Sequence, residues 1–220
     1  MHTPKPTGKP SPGLLDSLLQ YYGIELNSTQ LKQLWAYHQM LIAANTDSDL
    51  TRLHSFDTIV QKHYADCMLT HKLMQKKWPS PLLDMGTGAG FPGFMIKIIS
   101  PETKIILAEP RPRRVDFLNQ VIKELKFKDI SVFGHRVTSE SFTTPIKGCV
   151  TRAFASIEKS LPCLQPSLQK NGLVIFMKGP AVKVELQEFQ SPQYPIQKTE
   201  YYTIPHTKQQ RALIVLQKRS

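Results

Sequence analysis

The sequence predicts an α/β fold: a mostly parallel sheet of about seven strands, closed by an antiparallel hairpin and preceded by a cap of helices. Three observations lead there. Beyond residue 79 the short apolar runs PLLDM, KIILAE, ISVFG, CVTRAF and LVIFMK alternate with helical stretches, and such runs separated by helices mark parallel strands buried on both faces. The last two runs, YYTI (201–204) and RALIVLQK (211–218), are only six residues apart. That is too short for a crossover helix, so they pair as a hairpin. Before residue 79 the apolar positions recur instead at helical spacing.

Residues 1–13 hold four prolines and two lysines without apolar periodicity, the composition of a disordered basic arm. A helical cap over 14–78 and a core over 79–220 follow. Ser11 caps the first helix with Pro12 in its first turn, Leu14, Leu15, Leu18, Leu19 and Tyr22 share one face, and Gly23 ends it. Asn27 and Gln30 form a reciprocal cap for a second helix with Leu31, Leu34, Trp35, His38 and Ile42 inward, and TDSDLT (46–51) reads as a polar turn. A third helix begins near Ser55 with Ile59, Val60, His63 and Tyr64 on one side. In the core, helices are expected at Phe94–Ile99, Arg113–Leu125, Ser156–Gln169 and Ala181–Gln190.

Bulk properties narrow the class. The chain has 220 residues, 40% of them hydrophobic, enough for a core without metal or disulfide. Cys67, Cys149 and Cys163 are far apart and in no CxxC pair, so they read as free thiols in a reducing compartment, with no metal site. No apolar run approaches a membrane span, and the N-terminus lacks the apolar centre of a signal peptide. A soluble, cytoplasmic monomer is expected. With 28 Lys and Arg against 17 Asp and Glu the net charge is +11, which favours a polyanionic partner, nucleic acid before a membrane surface.

The segment LLDMGTGAGFPG (82–93) places four glycines within eight positions, after a strand and at a helix start. In an open parallel sheet that is where ligands bind. The dinucleotide fingerprint G-x-G-x-x-G fails at Phe91; Gly86, Gly88 and Gly90 form G-x-G-x-G, with Asp84 two positions ahead. Glu109, 23 residues after Gly86 at the end of the next strand, can accept hydrogen bonds from both ribose hydroxyls of a nucleoside cofactor, whether NAD or S-adenosylmethionine (SAM). The loop resembles motif I of the class I SAM methyltransferases, which also close a Rossmann-like sheet with an antiparallel hairpin. An NAD-dependent dehydrogenase would need a glycine where Phe91 stands.

With GTGAGFPG, RPRRVDFL (111–118), VTRAFAS (150–156), FMKG (176–179) and RALIV (211–215) in this order, the chain resembles the RsmG/GidB family over roughly residues 14–218. These bacterial enzymes methylate N7 of a guanosine in the helix-18 loop of 16S ribosomal RNA in the small ribosomal subunit. The resemblance implies that Gly86, Gly88, Gly90 and Phe91 line the methionine and ribose of SAM, with Asp84 ahead of them, and that Glu109 holds the ribose. It puts Val137 and Thr138 at the adenine and Arg152 beside the cofactor as a catalytic residue. Lys178 is implied at the substrate as well, with Arg113, Arg114, Arg211 and His63 toward the RNA. His63 and Asp66 match a His-x-x-Asp pair on the third helix, and Asn45 a polar loop position before it. The chain departs from the family at Thr138, where an acid is usual, at Asp49 in place of Asn, at Cys67 in place of Ser, and at Pro110 and Pro112 around Arg111.

Guanine N7 carries a lone pair and no proton, so its methylation needs no general base. The sequence accordingly lacks the Asn/Asp-Pro-Pro-aromatic segment of amino-group methylation, and Pro162-Cys163 lies in an expected helix, Cys163 reading as a core residue. Catalysis would rest on positioning, with Arg152 directed at the substrate's O6 or phosphate. Arg111, Arg113 and Arg114 stand near the expected cofactor acid, where a phosphate contact would make binding fall with salt. Two rival readings stay open from the residues alone: a SAM methyltransferase with another RNA, protein or small-molecule substrate, and a non-catalytic RNA-binding assembly factor on the same fold.

Overall fold

The computed structural model describes residues 4–48, 50–152 and 154–219. Residues 4–10 carry no helix or strand, and Lys5 pairs with Asp57 at 2.9 Å, which ties this end of the expected arm to the cap; residues 1–3 lie outside the described residues. Helix α1 (Pro12–Tyr21) starts at Ser11, whose hydroxyl accepts from the Leu14 amide, and ends before Gly23 at φ 78°. The helix starts as its cap and first-turn proline announce. Helix α2 (Ser28–Ser48) opens on the reciprocal cap, Gln30 N to Asn27 Oδ1 at 2.9 Å and Asn27 N to Gln30 Oε1 at 3.0 Å.

Two expectations for α2 are corrected. It runs to Ser48, through the start of the expected turn, because no glycine or proline interrupts residues 28–54. Its most deeply buried residues are Leu34, Tyr37, His38 and Leu41, while Ile42 is exposed. The buried stripe is turned because α2 leans on both α1 and the core, and Tyr37 lies at the centre of that contact.

Helix α3 (Phe56–Ile59), capped by Ser55, continues through a wider π-helical segment (Val60–Ala65) into α4 (Asp66–Leu73). Such widened turns occur often at functional sites, and this one carries His63.

The core strands are β1 (Leu82–Met85), β2 (Ile105–Ala108), β3 (Ile130–Phe133), β4 (Ile146–Arg152), β5 (Leu168–Lys178), β6 (Ile196–Thr203) and β7 (Gln210–Gln217), in the sheet order β3-β2-β1-β4-β5-β7-β6. The first five of that order are parallel, and β7 runs antiparallel to both β5 and β6. Helices α5 (Gly93–Ile99) and α6 (Pro112–Glu124) join the cap in one apolar cluster on one face of the sheet. A second cluster, with α7 (Ile157–Ser160) and α8 (Val182–Glu188), covers the other face.

The expected helix over Ser156–Gln169 is reduced to the single turn of α7. Pro162 and Pro166 lack amide protons and disfavour helix in the residues before them, and Leu168 already belongs to β5. Cys163 is therefore half-buried in a turn rather than in a core helix, while Cys67 and Cys149 are buried, all three unpaired. Among the described residues no helix is long and apolar enough to cross a membrane.

The cap is joined to the core by one buried bond in particular: the Tyr37 hydroxyl donates to the Ala89 carbonyl at 2.7 Å, inside the glycine-rich turn. Tyr37→Phe leaves that carbonyl without its partner and should lower stability by about 1–3 kcal/mol. Urea denaturation measures the change, and an unaltered midpoint would remove this bond as the link between cap and core.

Candidate active site

The parallel strands direct their carboxyl ends to one rim, and the order reverses beside β1, whose neighbours are β2 and β4. Ligands of open α/β sheets bind at such a switch point. The turn after β1 passes through Gly86, Gly88 and Gly90, all at positive φ (77°, 61° and 105°). Close approach explains Gly93: a Cβ there would lie 2.2 Å from Leu107 Cδ2 and 2.7 Å from Asp84 Oδ2. A Cβ on Gly88 would meet only the Arg114 guanidinium, at 3.6 Å, so the turn is open on that side.

Asp84 lies fully buried beneath the turn rather than on its open side. Its Oδ2 accepts from the Thr87 hydroxyl at 2.6 Å and the Gly93 amide at 2.7 Å, while Oδ1 is buried without a partner among the described residues. Burial pushes its carboxyl up to about 7, against those two hydrogen bonds and the Arg152 charge, which pull it down. Asp84 thus acts on the open side of the turn through Thr87 and Gly93.

Glu109, following β2, faces the turn: Oε2 accepts from the Gly88 amide at 3.1 Å and Oε1 from the Arg111 amide at 3.0 Å, with Arg114 3.7 Å away. An open glycine turn beside a carboxylate fits the ribose and methionine parts of a nucleoside cofactor. Arg113 and Arg114 stand in the first turn of α6, Arg113 exposed and Arg114 half-buried. Past β3, Val137 is buried in the second cluster and Thr138 is exposed, its amide donating to Ser141 Oγ at 2.7 Å.

A second group of residues meets at the end of β4. Arg152 donates to the Lys62 carbonyl and to His63 Nδ1, both at 2.9 Å, and its guanidinium lies 5.3 Å from the Phe91 ring centre. His63 stacks on the same ring at 4.5 Å. Arginine only donates, so His63 Nδ1 accepts and its proton sits on Nε2, directed at Thr51 Oγ1 3.0 Å away. Burial, assisted by the Arg152 charge, pushes the His63 pKa down to about 3. His63 is a neutral spacer.

His63 and Asp66, the residues of the His-x-x-Asp pair, do not bond to each other. Asp66 accepts from the Tyr202 hydroxyl at 3.0 Å and from Arg211 Nε at 3.3 Å, with Arg152 at 3.8 Å. Asn45 belongs to α2, not to a loop, and accepts from the Thr51 amide at 2.7 Å; Asp49 lies outside the described residues. Lys178, at the end of β5, holds the Ala155 carbonyl at 2.6 Å and Glu185 at 3.1 Å.

The structure thus gathers the glycine turn, Phe91, Glu109, Arg152, His63, Asp66 and Arg211 along one rim, with Lys178 beside them. Sequence reading missed Thr51, Thr87, Tyr202 and the exposed Phe154, whose ring lies where a Cβ on Gly86 would be, 2.4 Å from that position. Tyr202 was findable from hairpin register, since it pairs across the strands with Arg211. A cleft of about 620 Å³ lined by Ser156, Leu161, Val184 and Tyr194 lies by α7 and α8 and does not include the glycine turn. Among the described residues no cluster of three or more His, Cys, Asp or Glu could hold a metal.

A glycine turn after β1, an acid after β2 and a seven-stranded sheet ending in a reversed hairpin define a class I SAM methyltransferase. The fold is shared with a ribosomal protein L11 methylase from Lactobacillus delbrueckii subsp. bulgaricus, at TM-score 0.53 and 14% identity over 72% of this chain and 79% of that one. The sequence model of the GidB family, described as rRNA small subunit methyltransferase G, matches residues 30–215. A ribosomal RNA small subunit methyltransferase G 2 from Syntrophobacter fumaroxidans is 41% identical over 95% of the chain, which spans only 42% of that protein's length. Another of the same name from Bdellovibrio bacteriovorus is 32% identical, with 93% of this chain and 80% of that protein covered. The chain belongs to the rRNA small subunit methyltransferase G family, and its cofactor is S-adenosylmethionine.

Removing the carboxylate beside the turn tests the cofactor geometry. Glu109→Ala should weaken SAM binding at least about tenfold, a loss of about 1.4 kcal/mol, measured by calorimetry; unchanged affinity would take Glu109 out of the site. Asp84 sets a pH dependence. Its folded pKa lies above the unfolded value, so the folded chain binds the proton more tightly and Asp84 contributes stability that is lost as pH rises from about 4 to about 7. His38 and His63, pushed down to about 4 and about 3, act in the opposite sense over that range, so the test is a difference. Asp84→Asn keeps the acceptor for Thr87 and Gly93 without titrating. The stability of the wild type relative to this variant should fall across that range in urea titrations, and a flat difference would contradict the raised pKa.

Proposed function

We propose that the chain transfers a methyl group from S-adenosylmethionine to N7 of a guanosine in the helix-18 loop of 16S ribosomal RNA. The observation that carries this reading is the rim at Arg152, where a cation is held over Phe91 beside the glycine turn and, among the described residues, no side chain stands ready as a general base. His63 is neutral, accepts from Arg152 and directs its remaining proton at Thr51. Asp66 is occupied by Tyr202 and Arg211. A rim that can orient but not deprotonate suits a nucleophile with a free lone pair, and guanine N7 is one.

Bound SAM supplies a methyl group on a sulfonium sulfur. The chain does the rest by binding and orientation. The main chain at Gly88 leaves room for the cofactor, with Gly86 and Gly90 shaping the turn around it, Glu109 accepts from its ribose hydroxyls, and Val137 and Thr138 border the adenine. Arg152 can donate to guanine O6, leaving N7 free to attack. Phe91 and His63 hold that guanidinium in one orientation and keep water from it. Lys178, Arg211, Arg113 and Arg114 supply positive charge for phosphates along the rim, and the net charge of +11 supports a polyanionic substrate. On this reading the protein works in the cytoplasm on the small ribosomal subunit or its RNA.

The direct test incubates the protein with methyl-labelled SAM and small subunits from a bacterium lacking this modification. Label in a single N7-methylguanosine of that loop is expected; label in another nucleoside, or in none, overturns the assignment. Arg152→Ala should lower kcat by about 10²-fold or more, the scale seen when one oriented donor is removed. The variant should still fold, because Asp66 keeps Tyr202 and Arg211, though at a lower unfolding midpoint for loss of the bonds to Lys62 and His63, and its SAM affinity separates a binding loss from a rate loss. An unaltered turnover rate would remove Arg152 from the mechanism.

A further inference from the structure

We propose that the β6–β7 hairpin carries a nucleotide-binding pocket that holds an RNA base next to the methylated one, stacked on Tyr201. The inference rests on the RNA reading above and adds a binding site to it. A pocket of about 180 Å³ lies between the start of α8 and the hairpin, lined by Pro180, Lys183, Tyr201, Thr203, Gln210 and Arg211, with Tyr202 behind them. Ligand pockets for drug-sized molecules run to roughly 300 Å³ and above, so this one suits a single ring system.

Three features set its chemistry. Tyr201 is 48% exposed, a large aromatic ring left open on β6. Lys183 Nζ lies over the ring, 5.1 Å from its centre, so a cation covers one face and a base would stack on the other. None of the lining residues is acidic, and the nearby Glu200 pairs with Lys198 at 3.6 Å. A flat ring with ammonium and guanidinium groups is the arrangement on which unpaired bases stack while their phosphates are neutralised. An acidic peptide would satisfy the cations but leave the ring unused.

The pocket also lies where the reaction needs it. Strand β7 begins and β6 ends at the rim where β4 and β5 end. With strands about 4.8 Å apart, β7 is two steps, about 10 Å, from β4 and its Arg152. Arg211 lines the pocket and shares Asp66 with Arg152, so one buried carboxylate holds both the cation at the methyl-transfer rim and the cation in the pocket. A base held by Tyr201 fixes the neighbouring nucleotide over Arg152.

The test uses the full chain with small subunits lacking the modification, and measures kcat, KM for the subunit and SAM affinity by calorimetry. Stacking contributes about 1–3 kcal/mol per base, so Tyr201→Ala should raise KM by roughly 5- to 150-fold, with kcat and SAM affinity little changed. Tyr201→Phe keeps the ring and should stay near the wild type. Lys183→Ala should raise KM and reduce the salt slope of binding by about one. A Tyr201→Ala variant with wild-type KM, or Phe behaving like Ala, overturns the pocket while the methylation assignment stands. If the wild-type chain leaves RNA unlabelled, both fall together.

Discussion

The site depends first on a buried carboxylate. Asp84 sits under the glycine-rich turn and holds Thr87 and the first amide of α5 from below, so the chain reverses direction within a few residues of leaving β1. The reversal needs α5 to approach the sheet more closely than a Cβ allows, which is why Gly93 stands where it does. Once the turn is anchored from inside, its outer side is free: Gly88 opens toward the solvent and presents its amide to Glu109. The same turn supplies Ala89 and Phe91 as the surfaces on which the helical cap settles, through Tyr37 and through the stacked His63. A single anchor therefore sets both the glycine-rich turn and the position of the cap.

The second constraint is electrostatic. Arg152 is largely withdrawn from water, and a buried guanidinium is stable only if its donors are satisfied. The Lys62 carbonyl, His63 and the face of Phe91 meet that demand, and Asp66 lies close behind. Arg211 draws on the same carboxylate from the hairpin. These contacts bridge the cap, β4 and β7, so the rim depends on segments far apart in the chain. They also occupy the groups at the rim: its histidine has engaged both nitrogens and its carboxylate has two donors, which is the basis for proposing that the rim orients a substrate without deprotonating it.

Much of this was legible in the sequence because local chemistry decided it. Ser11 and the Asn27–Gln30 pair announce helix starts by their own side chains, the spacing of apolar runs separates buried strands from helices, and the six-residue gap before RALIVLQK permits only a hairpin. The glycine turn and Glu109 follow from the same local logic. What failed depended on partners distant in sequence. The buried stripe of α2 is set by what Tyr37 meets, and Ile42 was misplaced for that reason. His63 pairs with a residue 89 positions away and Asp66 with one 136 away, distances that no helical pattern reports. The short α7 has a local cause instead: Pro162 and Pro166 outweigh the apolar periodicity around them.

The central claim is that the turn held by Asp84 and the carboxylate of Glu109 together form the cofactor site. The most direct measurement is a crystal structure of the chain with S-adenosylhomocysteine, the demethylated product of its cofactor. The account predicts both ribose hydroxyls on Glu109 and the amino-acid part along Gly86–Gly90, with Asp84 still bound to Thr87 and Gly93 beneath. Product bound at the cleft beside α7 and α8, or at the rim with Glu109 facing away, would contradict it.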